Sequence, residues 1–182
     1  MPIDLLLRDE IRSLLPGHRA RELVKLLRGD LRLLGRSRSS VSLLLTNDEE
    51  IRRLNHAFRK MDRATDVLSF PMQELRDETD PAGDGILLGD IVISVETARR
   101  RSGPARLDKE LARLAVHGLC HLFGHDHHHP RQAQRMRLLE RRLLRAPTIS
   151  VAGSAGASPA PRRGARRSRS GRSPGRTGCP SD

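Results

Sequence analysis

Six of the chain's eight histidines fall within thirteen positions, in the stretch VHGLCHLFGHDHHH at residues 116–129. His117, His121 and His127 stand at the spacing H-x-x-x-H-x-x-x-x-x-H, with Gly124 between the second and third. Leu107, Leu111, Leu114, Ala115 and Leu122 recur at helical intervals and predict a helix over residues 108–123. On a helix turning ~100° per residue, His117 and His121 lie about 40° apart and one turn apart in height, so their imidazoles converge. Gly124 admits the left-handed conformation that ends helices, and the chain beyond it can turn back to deliver His127. Three neutral imidazoles suit Zn2+ and leave a fourth position for water or substrate.

Metzincin proteases hold zinc with the same spacing, as H-E-x-x-H-x-x-G-x-x-H. Here Gly118 occupies the place of the glutamate that would activate water. Peptide hydrolysis by that mechanism is therefore disfavoured. A metal can still activate water or polarise a phosphoryl oxygen, and phosphodiester cleavage needs charge stabilisation more than a carboxylate base. Other ligand sets compete. His125, His128 or His129 is an alternative third ligand, although His128 and His129 run past the motif and read as surface residues. Cys120 sits about 100° around the helix from His121, which makes joint ligation awkward, and it reads as a packing residue. Asp126 either orients a ligand histidine or faces water.

The formal net charge is +12, and 31 of the 34 basic residues are arginine. A polyanion such as RNA fits that charge, as does a compositional bias toward arginine. Three Phe, no Tyr and no Trp argue against an aromatic platform for bases, so RNA contact is expected through arginine and phosphate. Two dispersed cysteines exclude a disulfide framework. The N-terminal stretch carries Asp4, Arg8, Asp9 and Glu10, and no apolar run reaches signal-peptide or membrane length. A cytoplasmic protein with no membrane partner is expected.

Composition changes after Ala146. Residues 147–182 hold no Leu or Phe, and are rich in Gly, Ser, Pro, Ala and Arg with a net charge of +6. A single domain over 1–146 and a disordered basic tail over 147–182 are expected. Within the domain, strands are predicted at PIDLLLRD, SVSLLLT, DVLSFPM and GDIVISV. Helices are predicted over 20–35, after the cap Asn47 with Glu50 completing a capping box, over ETARRRS, and over 131–144 with a very basic exposed side. Ile51, Leu54 and Phe58 form the expected inner stripe of the second helix. Residues 73–85 read as an acidic loop.

The segment LNHAFRKMDRATDVLSFP, residues 54–71, is the other dense motif. Taken alone, Arg59 reads as surface charge and Asp62 and Asp66 as turn formers. Together with HGLCHLFGHDH at 117–127 and LGDIVI at 88–93, the chain resembles the YbeY family of bacterial metallo-endoribonucleases, which serve in ribosomal RNA maturation. The resemblance spans roughly residues 1–146 and leaves the tail outside. It implies an α+β fold, a small mixed four-stranded sheet flanked by helices with a metzincin-like three-histidine zinc site. It implies one zinc ion bound by His117, His121 and His127, and Arg59 beside the metal cleft serving RNA cleavage.

Four departures from the family pattern stand out: Cys120 for Leu, His125 for an aromatic, Phe58 for Tyr and Ala64 for Pro. His125 could offer a competing ligand. The expected function is a single-strand-specific, zinc-dependent endoribonuclease in small-subunit ribosomal RNA 3′-end maturation and ribosome quality control. Its expected partners are ribosomal RNA precursors and small-subunit ribosomal proteins. The competing reading is a non-catalytic assembly factor that binds ribosomal RNA and carries a structural zinc.

Overall fold

The computed structural model describes residues 3–81, 84–127 and 129–145. The expected tail over 147–182 and His128 lie outside the described residues. Four strands make one mixed sheet. In chain order they are β1 (Ile3–Leu7), β2 (Ser40–Thr46), β3 (Val67–Pro71) and β4 (Leu87–Ser94). Their spatial order is β1-β2-β4-β3. β1, β2 and β4 run parallel, and β3 pairs antiparallel with β4 at one edge. The helices are α1 (Gly17–Leu33), α2 (Asp48–Arg59), α3 (Val95–Ser102), α4 (Leu107–Leu122) and α5 (Pro130–Arg145). This is the α+β architecture that the family resemblance implied.

Parallel strands need crossover connections, and α1 supplies the one from β1 to β2. α1 begins after Pro16, three residues before its predicted start. It ends where Gly35 takes a φ of 72°, and Arg36 N–H returns to the Leu31 carbonyl at 2.6 Å. The main core lies between one sheet face and the helices α1, α3, α4 and α5. Phe123, Leu111, Leu114, Leu119 and Leu122 bring α4 into its middle. Burial of each such side chain contributes roughly 1.5–3 kcal/mol, so the helix carrying two of the candidate ligands is also central to the core.

The opposite sheet face is covered by α2 through a smaller cluster of Ile51, Leu68 and Val92. Phe58 does not join that inner stripe; it is 66% exposed. The last turn of α2 runs past the edge strand β3, and the Phe58 ring meets Phe70 there at 4.9 Å. Asn55 is buried in its stead, and its amide donates to the Arg63 carbonyl at 2.8 Å. The capping box is also only half formed. Asn47 Oδ1 accepts from Glu50 N–H, but the Glu50 carboxylate turns to Arg8 and Thr46.

The 73–85 loop is anchored to the domain at a few points, while many of its described residues are exposed. Leu75 is buried in the main core. Arg36, 7% exposed, donates to the backbone carbonyls of Glu78 and Asp80. Among the described residues no helix is long and apolar enough to cross a membrane.

Candidate metal centre

α4 delivers His117 and His121 to one side, and the turn after it returns His127. The turn is specified by two bonds, Gly124 N–H to the His121 carbonyl at 3.0 Å and His125 N–H to the Cys120 carbonyl at 3.1 Å. That is the Schellman pattern, which requires a left-handed residue at its centre. Gly124 has a φ of 77°, and a Cβ there would lie 2.0 Å from the Leu75 carbonyl oxygen. Only glycine lets the 73–85 loop press against this turn.

The three histidines come together. One ligand atom from each of His117, His121 and His127 lies within 4.8 Å of the others, so the group could hold a metal ion. His117 Nε2 and His121 Nε2 stand 3.2 Å apart. Two nitrogens bound tetrahedrally at about 2.0–2.1 Å would be separated by about 3.3 Å, so the pair fits a zinc-sized ion. Burial, with the neighbouring His117 and His127 charges, pushes the His121 imidazole down to about 4. A neutral imidazole is the form that ligates, and His121 is neutral here well below neutral pH.

His117 has a partner on its other nitrogen. Its Nδ1 lies 2.7 Å from Glu140 Oε1 on α5. The hydrogen bond to His117 holds the Glu140 carboxyl below the usual carboxylate range, against burial, with Arg113 assisting. An ionised Glu140 accepts from Nδ1–H, which fixes the tautomer and leaves the Nε2 lone pair facing the cluster. Nothing in the sequence spacing marked Glu140. Its only signal is that it is the one acidic residue on a helix rich in arginine.

Several other sequence expectations are resolved by position. His125 turns away from the cluster and binds Glu78 at 2.6 Å through Nε2. His129 is exposed. Cys120 is fully buried, and burial pushes its thiol far up from the ordinary value. It is a packing residue. Asp126 Oδ1 accepts from the backbone N–H of His127 at 2.6 Å, which braces the main chain at the third candidate ligand.

Gly118 faces the sheet. A Cβ at this position would meet Ile91 Cγ2 at 2.8 Å and Ser69 Oγ at 3.1 Å. Any side chain there must displace Ile91, which disfavours the glutamate that a zinc protease places after its first ligand. Asp66 is more than a turn former. It pairs with Arg101 and receives Val67 N–H, and its backbone carbonyl accepts from Ser94 N–H. Asp62 pairs with Arg52.

Arg59 ends α2 and is exposed. Among the described residues no hydrogen bond or ion pair joins it to the three histidines. Successive strand residues point to opposite faces. On β3, Phe70 meets Phe58 of α2 while Ser69 faces Gly118 of α4. Arg59 therefore ends the helix that covers the sheet face opposite α4.

The sequence model of the family described as Endoribonuclease YbeY matches residues 17–147. The Endoribonuclease YbeY of Heliobacterium modesticaldum is 51% identical over 114 residues, 59% of this chain and 69% of that protein. The one from Anaeromyxobacter sp. strain Fw109-5 is 48% identical over 118 residues, 64% of this chain and 58% of that protein. The second match thus spans less than two thirds of its relative's length. The solution structure of TM1509 from Thermotoga maritima superposes with a TM-score of 0.54 at 25% identity, covering 78% of this chain and 86% of that one. With the family match running from the first helix through the end of α5, over the whole three-histidine turn, the chain belongs to the YbeY family of endoribonucleases.

Proposed function

We propose that the chain is a zinc-dependent endoribonuclease that cuts single-stranded RNA, with His117, His121 and His127 as the metal ligands. The observation that carries this reading is the convergence of three imidazoles at a turn whose helix disfavours a carboxylate base at position 118. A bound zinc ion supplies Lewis-acid charge at a phosphoryl oxygen or lowers the pKa of an attacking hydroxyl. Glu140 orients His117, burial keeps His121 neutral, and the Asp126 carboxylate braces the backbone at His127. Arg59 stabilises the negative charge that develops on the phosphate, reaching the site around β3. The substrate class we assign is ribosomal RNA precursor at the 3′ end of the small-subunit RNA, in the cytoplasm, with small-subunit ribosomal proteins as partners and a role in ribosome quality control. The folding domain is residues 1–146, and the basic segment 147–182 adds affinity for RNA without taking part in the chemistry.

The test joins metal analysis to RNA cleavage. Purified protein is expected to hold one zinc per chain and to cut a single-stranded ribosomal RNA fragment, losing both properties on chelation. His117→Ala and His127→Ala remove metal and cleavage, whereas His125→Ala keeps them. Metal retained with no cleavage under any metal supply assigns the chain instead to a non-catalytic, RNA-binding assembly factor.

A further inference from the structure

α5 has an outer face that the catalytic reading does not use. Arg131, Arg135, Leu138, Arg142 and Arg145 are all exposed. They recur at intervals of four, three, four and three, so they fall within about 80° of helix azimuth and run for about 21 Å. The arginines of this row make no hydrogen bond or ion pair among the described residues. That distinguishes them from Arg8, Arg38, Arg52, Arg100, Arg101 and Arg113, each of which is tied to a carboxylate. The helix's one acidic residue, Glu140, is turned inward to His117, so the row carries no counter-charge of its own. Leu138, 58% exposed, fills the middle of the row.

The row borders an open cavity of about 540 Å³ between α5 and the 73–85 loop. Arg76, Arg135, Leu138 and Arg142 line its sides, and His125 and Asp126, next to the third ligand, line it as well. Three acids also face the cavity, and all are engaged, Asp126 by the His127 N–H. Glu78 binds His125, and Asp77 is held by the backbone and hydroxyl of Thr79. Arg135 acts on Asp77 only at a distance.

We propose that this row and the cavity beside it form a phosphate track for single-stranded RNA, which holds the strand flanking the cleavage point and delivers it to the turn that carries His127. The proposal rests on the endoribonuclease reading and adds a contact surface separate from Arg59. A line of unpaired guanidiniums one or two helical turns apart suits a chain of regularly spaced phosphates, and guanidinium recognises phosphate with two parallel donors. Leu138 gives an apolar rest for a ribose or base. Among the described residues no Phe, Tyr or Trp lines the cavity, so the track grips mainly the backbone and discriminates little between bases.

The experiment measures binding of uncleavable 2′-O-methyl single-stranded oligonucleotides, 6 and 16 nucleotides long, to the full chain by fluorescence anisotropy. Arg135→Gln/Arg142→Gln is compared with Arg21→Gln/Arg32→Gln, which removes the same charge from exposed positions on α1. Each lost phosphate contact lowers the slope of log K against log salt by about 0.7 on a single strand, and at about 0.1 M salt two such contacts correspond to roughly 25-fold in affinity. The α5 variant is expected to bind the 16-mer at least tenfold more weakly with a slope flatter by about 1.4, while the α1 variant shifts less than twofold. Equal weakening in both variants, or an unchanged slope in the α5 variant, overturns the track in favour of diffuse charge. Polyglutamate bound as tightly as RNA, with the same loss in the α5 variant, overturns it in favour of an acidic protein partner. Failure of the wild-type chain to cut RNA refutes the nuclease reading, whereas the anisotropy contrast reports on the track independently of cleavage.

Discussion

Glu140→Gln tests whether the metal centre depends on a residue that takes no part in ligation. The change keeps side-chain length and an oxygen acceptor but removes the charge opposite His117 Nδ1. The contact is 2.7 Å long and partly shielded, with the His117 and Glu140 side chains 24% and 23% exposed. A hydrogen bond to an ionised group contributes about 1.5–3 kcal/mol and a neutral one about 0.5–1.5. The difference, about 1 kcal/mol, corresponds to roughly fivefold weaker metal binding. Glu140→Ala removes the whole contact and leaves His117 free to rotate or to change tautomer, for which about 10–100-fold is expected. The assay is competition for zinc against a chromogenic chelator at fixed pH, alongside the Tm of the metal-free protein. Graded weakening in the order Glu, Gln, Ala, with metal-free Tm of the Gln variant near wild type, supports the reasoning. Zinc affinity of both variants within twofold of wild type would mean that Glu140 is a helix-packing contact and no more.

Three further outcomes follow from the geometry. Burial pushes the Asp30 carboxyl up to about 7, so the folded chain holds a proton that the unfolded chain releases near ~4, and stability is lost as pH rises through about 4 to 7. Asp30→Asn removes this slope and is expected to exceed wild type by up to ~4 kcal/mol at pH 8, from about three pKa units at 1.36 kcal/mol each, with little difference at pH 4; parallel urea-midpoint profiles against pH would sink the argument. Gly118→Ala is expected to cost ~1–3 kcal/mol by pressing on Ile91, and Gly124→Ala to lose metal as well as stability, since the third ligand's turn cannot close against Leu75; Tm and zinc content of the two variants check this. Arg59→Ala is expected to keep zinc and Tm and to lower cleavage at saturating RNA by tenfold to a hundredfold, with poor rescue by Arg59→Lys, and a rate within twofold of wild type removes Arg59 from the chemistry.

What the sequence revealed was mostly local. The i, i+4 histidines, the glycine turn and the third histidine are written within eleven residues, and local geometry alone brings them together. The strands of the sheet were legible for the same reason, as short apolar runs bounded by turn residues. Contacts across the fold were not. Glu140 lies 23 residues beyond His117 on a helix whose composition suggests only solvated charge. Glu78 lies 47 residues before His125, and that pair removes one of the histidines that competed as third ligand. Phe58 followed a helical stripe that assumed a sheet wide enough to receive it. The sheet ends at β3, and the ring meets Phe70 at that edge. The capping box failed because Arg8, on a different element, outcompetes a backbone N–H for the Glu50 carboxylate. A charged donor makes the stronger bond.

Gly118 then has a physical explanation that does not begin from a missing catalytic residue. α4 packs closely on β4 and β3, and at position 118 even a methyl group must displace the Ile91 side chain. The close packing fixes where the two helical histidines point, because α4 cannot rotate without driving its backbone into the sheet. The same contact disfavours a carboxylate at the position where a peptidase needs its base. On the proposed reading, chemistry at this centre draws on the charge a bound metal would supply and on cations brought from other elements. A phosphodiester matches that supply, since its cleavage builds negative charge on oxygens that cations can neutralise. On the proposed reading the substrate class follows from the packing of one helix against one strand. A bulky residue at 91 exchanged for a smaller one, with glutamate placed at 118, would open room for a base without altering any ligand.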